Sequence, residues 1–168
     1  MSIQITDWPG TPLRDEDLRE GRVLVTKGAP NAKYAWDTGV AIGRYLEALK
    51  EGKILGIHCP GCDRTLVPPR VFCDLCFRPL DQWVFIQDRG SVNTFSISYI
   101  TWDAKRVSEP TIPAVIELDG ASKGMGILHL LGEVDPKEVR IGMRVRSVWK
   151  APQERAGSVT DIRYFKPE

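Results

Sequence analysis

All four cysteines of the chain lie in one stretch, HCPGCDRTLVPPRVFCDLCFRPL (residues 58–80), as two C-x-x-C pairs with ten residues between them. No other feature limits the fold so tightly. Two intervening residues let the backbone turn sharply and aim both sulfurs of a pair at one point, and Gly61 supplies the close amide approach such a knuckle needs. Four thiols would also make two disulfides. However, the N-terminal MSIQITDWPG has no basic segment leading into an apolar run, so no export signal is expected, and in a reducing compartment paired knuckles hold metal. Thiolates from Cys59, Cys62, Cys73 and Cys76 close a tetrahedron around one Zn2+ and leave no position for water or substrate, so the expected site is structural. A four-thiolate iron centre, with electron transfer as its function, is the competing reading. His58, beside Cys59, is a further candidate ligand, but four sulfurs already satisfy zinc, and the residue reads as part of a ribbon strand with an exposed ring.

Charge narrows the partners. The chain has 23 basic and 22 acidic side chains for a net +1, and four thiolates with one divalent ion add −2, taking it to −1. Bulk electrostatics therefore give no reason for a polyanion to bind. Arg64, Arg70 and Arg78 stand close in sequence to the cysteines and are placed to offset the charge locally. No stretch approaches the roughly 18 apolar residues of a membrane span, and a soluble cytoplasmic protein is expected.

The 168 residues, 42% of them hydrophobic, suffice for one core and a small appended module. Residues 1–36 contain Pro9, Pro12 and Pro30 and the charged run RDEDLREGR with little periodicity, the pattern of an extended arm that orders against something else. Residues 37–52 place Ala41, Ile42, Tyr45, Leu46 and Leu49 at helical spacing with Gly52 as a stop, predicting one amphipathic helix. Residues 53–80 form the zinc ribbon. From residue 81 to 168 the period changes to two. WVFI, GSVNTFSISYI, PAVIELD, GMGILHLLGEV, GMRVRSVWK and VTDIRYF are strand-like runs, and DPKEV gives one short helical signal. Five or six short strands in so few residues predict an OB-fold barrel. In the run to Trp149, Ile141, Met143, Val145 and Trp149 are expected on the core side, with Arg144, Arg146 and Lys150 on the wet side. The fold class is mainly β: an N-terminal helix, a rubredoxin-like zinc ribbon, then the barrel.

The zinc knuckles with PPR before the second pair, then GSVNTFS, PAVIELD, IGMRV and the terminal YFKP, resemble the zinc-ribbon plus OB-fold proteins encoded beside thiolases and thiolase-like aldolases. That family was once described only as a domain of unknown function. The resemblance covers about residues 38–168 and is specific in combination. It implies an accessory subunit, bound in a hetero-oligomer of two plus two or larger to a thiolase-fold partner that handles acyl-CoA. The stretch YAWDTGVAIGRYLEALKEGKILGIHCPGC is most similar to subunits of degradative thiolases, which implies thiolysis of a β-ketoacyl-CoA, including aromatic ones such as benzoylsuccinyl-CoA.

The residues themselves agree with a non-catalytic role. Thiolysis needs an activated cysteine beside a base, and all four cysteines are assigned to metal. His129 is a candidate base, although a lone histidine in an apolar strand is more often a hydrogen-bonded core residue. Contact with the phosphates of coenzyme A would favour Lys105, Arg106 and Lys123 on exposed loops. Apolar anchors for the partner are expected at Trp36, Tyr45 and Phe72. The alternative function is nucleic-acid binding, with Arg144, Arg146 and Lys150 tracking phosphates; the near-neutral charge and sparse aromatics oppose it.

Overall fold

The computed structural model describes residues 14–23, 36–101 and 103–168. The chain divides into two compact units, Met1–Trp36 and Asp37–Glu168. Of the first, the described part holds one short helix, α1 (Asp15–Arg19), whose first turn carries three carboxylates at the positive end of the helix; Asp17 and Glu20 pair with Arg22. The rest of the expected arm lies outside the described residues, Trp36 excepted.

The second unit begins with helix α2 (Gly39–Lys50). Asp37 Oδ1 accepts the Gly39 N–H at 2.8 Å. At the other end Gly52, at φ +79°, lets the Gly52 N–H reach the Leu49 carbonyl and the Lys53 N–H reach that of Ala48, both at 2.9 Å. These two bonds satisfy the last carbonyls of the helix and stop it where the glycine predicts. The buried face is Ala41, Tyr45, Ala48 and Leu49. It is rotated slightly from the expected one: Ala48 is inside and Ile42 is exposed.

The ribbon is a three-stranded antiparallel sheet in the order β2-β1-β3, made of β1 (Ile54–Cys59), β2 (Arg64–Leu66) and β3 (Gln82–Ile86). The WVFI run that the sequence offers to the barrel thus pairs with β1 instead, Trp83 opposite Ile57 and Phe85 opposite Leu55.

The barrel follows. Its strands are β4 (Arg89–Phe95), β6 (Arg106–Leu118), β7 (Gly126–Leu131), β8 (Arg144–Trp149) and β9 (Ile162–Pro167), and β4 pairs with both β6 and β8 to close the ring β4-β6-β7-β9-β8. The β7–β9 pairing is the parallel one, through Leu131 and Phe165. This is an OB-fold ring, mainly β as expected. Strict alternation is visible in β6, where Ile112, Ala114, Ile116 and Leu118 are buried and the residues between them are not. Strand crossing at the closure is tight: a Cβ on Gly90 would stand 2.0 Å from the Glu117 carbonyl oxygen, which explains the glycine at the second position of β4. One core, centred on Phe165, Ile116, Val145 and Ile162, continues through α2, β1 and β3.

Three details differ from the sequence pattern. GSVNTFSISYI splits into β4 and β5 (Ser98–Ile100), and β5 pairs only with the first half of β6, so this hairpin extends past the barrel. DPKEV makes a single turn, with Asp135 Oδ1 accepting the Lys137 N–H at 2.9 Å. Ile141 is exposed instead of in the core, because Gly142 at φ +81° breaks the alternation and β8 starts only at Arg144. No described helix is long and apolar enough to cross a membrane.

Candidate metal centre

The first knuckle is the turn from β1 into β2. Cys59 ends β1 opposite Arg64, and the chain reverses through Pro60, Gly61, Cys62 and Asp63, the last at φ +50°. The second knuckle lies between β2 and β3. It is fastened by Leu80 N–H to Val71 O at 2.9 Å, Cys73 N–H to Arg78 O at 3.0 Å, and Phe77 N–H to Cys73 O at 3.0 Å. Together the knuckles bring one sulfur from each of Cys59, Cys62, Cys73 and Cys76 within 4.8 Å of one another. The Sγ separations Cys59–Cys76 and Cys62–Cys73 are 3.6 and 3.8 Å. A zinc–sulfur bond of about 2.3 Å gives a tetrahedron edge of about 3.8 Å, so the four sulfurs already stand where such an ion would hold them.

The surroundings suit thiolate. N–H groups of Cys76 and Leu75 aimed at the Cys73 sulfur bring that thiol down to about 6, and the Arg78 N–H lowers Cys76. Cys62 is pushed up to about 12, first by its hydrogen bond to Cys76 and then by burial. A cation bound by this thiol displaces its proton. Cys59 and Cys73 are buried beside Ile57, Leu66 and Leu80 in a small core of their own, while Cys76 is exposed. The site is a structural zinc centre, one per chain, with all four ligand positions filled by protein.

The charged neighbours are only partly as expected. Arg64 and Arg70 both reach Asp74, at 3.0 and 3.4 Å, and Arg78 lies over the Gly61 backbone. His58 is half-buried in β1, with Nδ1 3.4 Å from Thr65 Oγ1 and Nε2 3.8 Å from Asp63 Oδ1. Four sulfurs complete the tetrahedron without it.

The other residues singled out in the sequence do not converge. Lys105, paired with Asp103 at 2.6 Å, and Arg106 stand at one end of β6, and Lys123 lies in the turn beyond its other end. A strand of 13 residues spans about 40 Å when extended, so the three form no common phosphate site. Tyr45 is not available as a partner anchor: it is 4% exposed inside the chain's own core, and burial pushes its hydroxyl up to about 12. Trp36 and Phe72 are exposed. His129, on β7, has both ring nitrogens engaged. Nδ1 accepts the Leu130 N–H at 2.9 Å, so Nε2 carries the proton and donates to the Val159 carbonyl at 3.3 Å. The ring meets Phe165 edge-on at 5.7 Å. Arg144 is held by both carboxylate oxygens of Asp119 and lies 3.6 Å from Glu168, which lowers Asp119 and raises the arginine. Arg146 faces Lys166 across the β8–β9 pair, and Lys150 Nζ donates to Thr160 at 3.3 Å.

A residue that the site-directed reading of the sequence passed over is Asp161. It is 0% exposed and its carboxylate accepts three backbone N–H groups, from Ala156, Gly157 and Ser158, at 2.8 to 3.0 Å. The signal was present as Ser158 followed three residues later by an acid, a capping box.

A four-cysteine ribbon joined to a closed five-stranded barrel makes this a zinc-ribbon/OB-fold protein. Residues 46–81 match the family described as "ChsH2, rubredoxin-like zinc ribbon domain", and residues 83–150 match "ChsH2, C-terminal OB-fold domain". The chain thus joins a ribbon and a barrel that both belong to domain families of the ChsH2 type. It is similar to a DUF35 domain-containing scaffold protein of Methanocaldococcus jannaschii, 27% identical over 117 residues, or 68% of this chain and 81% of the relative. Two solved structures share the fold. A DUF35-family protein of unknown function from Sulfolobus solfataricus has a TM-score of 0.57 at 24% identity, covering 74% of this chain and 83% of that one. The structure described as "Ltp2-ChsH2(DUF35) aldolase" has a TM-score of 0.56 at 19% identity, covering 80% and 98%.

Proposed function

We propose that this chain is a non-catalytic, zinc-stabilised accessory subunit of a thiolase-fold complex that cleaves a β-ketoacyl-CoA by thiolysis. The observation that carries the reading is the commitment of all four thiols to one closed centre. Thiolysis needs a cysteine nucleophile, and this chain has none to spare, so the reacting cysteine belongs to another subunit. His129 points the same way, since both its nitrogens are hydrogen-bonded within the fold. Support for an assembly role comes from relatives: one is described as a scaffold protein, another stands in a structure described as an aldolase together with Ltp2. The expected assembly is a hetero-oligomer with two or more copies of each subunit in a soluble cytoplasmic complex. The acyl group we favour is an aromatic one, as in benzoylsuccinyl-CoA. Coenzyme A phosphates can meet only one end of β6, and Arg106 with Lys105 on the extended hairpin is the end we assign.

The nucleic-acid reading loses its main support in Arg144, whose charge is already taken by Asp119 and Glu168. The test is to express the neighbouring thiolase-fold subunit with and without this chain and to measure CoA-dependent cleavage of a β-ketoacyl-CoA. Cleavage that requires both chains supports the proposal. A thiolase that is soluble and fully active alone, or turnover by this chain alone, refutes it.

A further inference from the structure

The second zinc knuckle has a surface its fold does not need. Residues 70–79 are exposed throughout except for Cys73, and among them Val71, Phe72, Leu75 and Phe77 present large apolar side chains, Leu75 at 62% and Phe77 at 77% exposure. Four such residues on one tight turn are not the scattered single exposures that ordinary surfaces show.

Phe77 is the most telling of them. It follows the second cysteine of its knuckle as Asp63 follows that of the first, and both take the left-handed conformation, at φ +56° and +50°. Aspartate tolerates that region; a bulky aromatic residue is disfavoured there, where glycine or asparagine is usual. Local stereochemistry therefore opposes a phenylalanine at this position, and among the described residues burial does not compensate. Nothing in the described fold accounts for it.

The knuckle also says what kind of surface it meets. It is an exposed turn, held rigid by the backbone bonds at Val71, Cys73 and Phe77 and by the metal centre, and apolar anchors of this kind seat in pockets of the partner surface. It needs a recess. The rim carries guanidinium groups: Arg64 and Arg70 share the carboxylate of Asp74, and Arg78, held over Gly61 beside the tip, has no carboxylate within ion-pair reach among the described residues. A rigid apolar knob flanked by a guanidinium without a carboxylate partner fits an apolar recess edged by a carboxylate.

Resting on the accessory-subunit reading, we propose that the second knuckle is the anchor by which this chain docks on the thiolase-fold subunit. Phe72, Leu75 and Phe77 enter an apolar recess there, and Arg78 pairs with a carboxylate at its edge.

The test measures binding of the full-length chain to an immobilised thiolase-fold protein of the same organism, for wild type, Phe77→Asn with Leu75→Ser, Arg78→Glu and Arg78→Lys. Asparagine suits the left-handed position, so the double variant should keep one zinc per chain and a wild-type melting temperature while its affinity falls at least tenfold. Arg78→Glu should also weaken binding at least tenfold, with Arg78→Lys in between. If wild type binds and the folded, zinc-loaded variants bind equally well, the knuckle proposal fails while the accessory reading stands. If wild type does not bind the thiolase-fold subunit at all, both fail. If sedimentation shows wild type self-associating and the double variant monomeric, the knob meets a second copy and the proposed partner is wrong.

Discussion

Asp161 offers the sharpest quantitative test of how the barrel is fastened to its last strand. One carboxylate oxygen accepts from Ala156 and the other from Gly157 and Ser158, while the backbone of Asp161 itself bonds Ser158 and Lys150. The turn it organises lies beside Leu46 of α2. Hydrogen bonds to a charged acceptor are worth about 1.5–3 kcal/mol each and do not add fully, and a buried donor left without its partner is costly. Asp161→Ala strands three donors at once, for an expected loss of about 3–5 kcal/mol. Asp161→Asn keeps one oxygen for Gly157 and Ser158 and turns an amide toward the Ala156 N–H, so about 2 kcal/mol is expected. Burial tends to raise this carboxyl, but the N–H groups of Ser158, Ala156 and Gly157, with Lys150 nearby, more than offset it and hold it below its ordinary value of 3.8. A lowered carboxyl gives stability that is fully present above 3.8 and disappears as pH falls through the native-state value. The assay is urea unfolding of zinc-loaded, full-length protein followed by circular dichroism from pH 7 to pH 3. Wild type should exceed the asparagine variant by a constant margin down to about pH 5, and the margin should shrink only below 3.8. An alanine variant within about 0.5 kcal/mol of wild type, or a margin that is already falling near neutral pH, would show that this carboxylate does not fasten the turn.

Three other outcomes are expected. Cys73→Ser, or a strong chelator, should remove the zinc and unfold the ribbon together, because binding free energy at such a site is folding free energy; metal analysis and proteolysis report both, and a folded metal-free ribbon would contradict the assignment. Gly90→Ala places a carbon 2.0 Å from the Glu117 carbonyl oxygen, forcing β4 from β6 at a cost of about 2–3 kcal/mol, read as a lowered urea midpoint. Binding to single-stranded DNA should be weak and lost at physiological salt; submicromolar affinity there, abolished by Arg144→Ala with Arg146→Ala, would restore the nucleic-acid reading.

What the sequence disclosed follows from how local each determinant is. The metal centre was legible because two C-x-x-C pairs carry their geometry within a few residues, and the barrel was legible because alternation such as that from Ile112 to Leu118 needs no partner to be seen. The pairing of β3 was not, since a short apolar strand reads alike whether it joins β1 or a barrel strand. Tyr45 sits on a helical face whose spacing predicts burial but not by what; its own core covers it. Alternation placed Ile141 inside, and the left-handed Gly142 overrode it. The exposure of Leu75 and Phe77 depends on where the knuckle lies against the rest of the ribbon, which spacing alone does not give.

If this chain is a zinc-stapled subunit of a larger thiolase-fold assembly, native mass spectrometry of the two co-expressed chains should find one hetero-oligomer containing at least two copies of each chain and one zinc ion for every copy of this one. A thiolase oligomer that leaves this chain behind, or a complex whose copies of this chain carry no zinc, would contradict it.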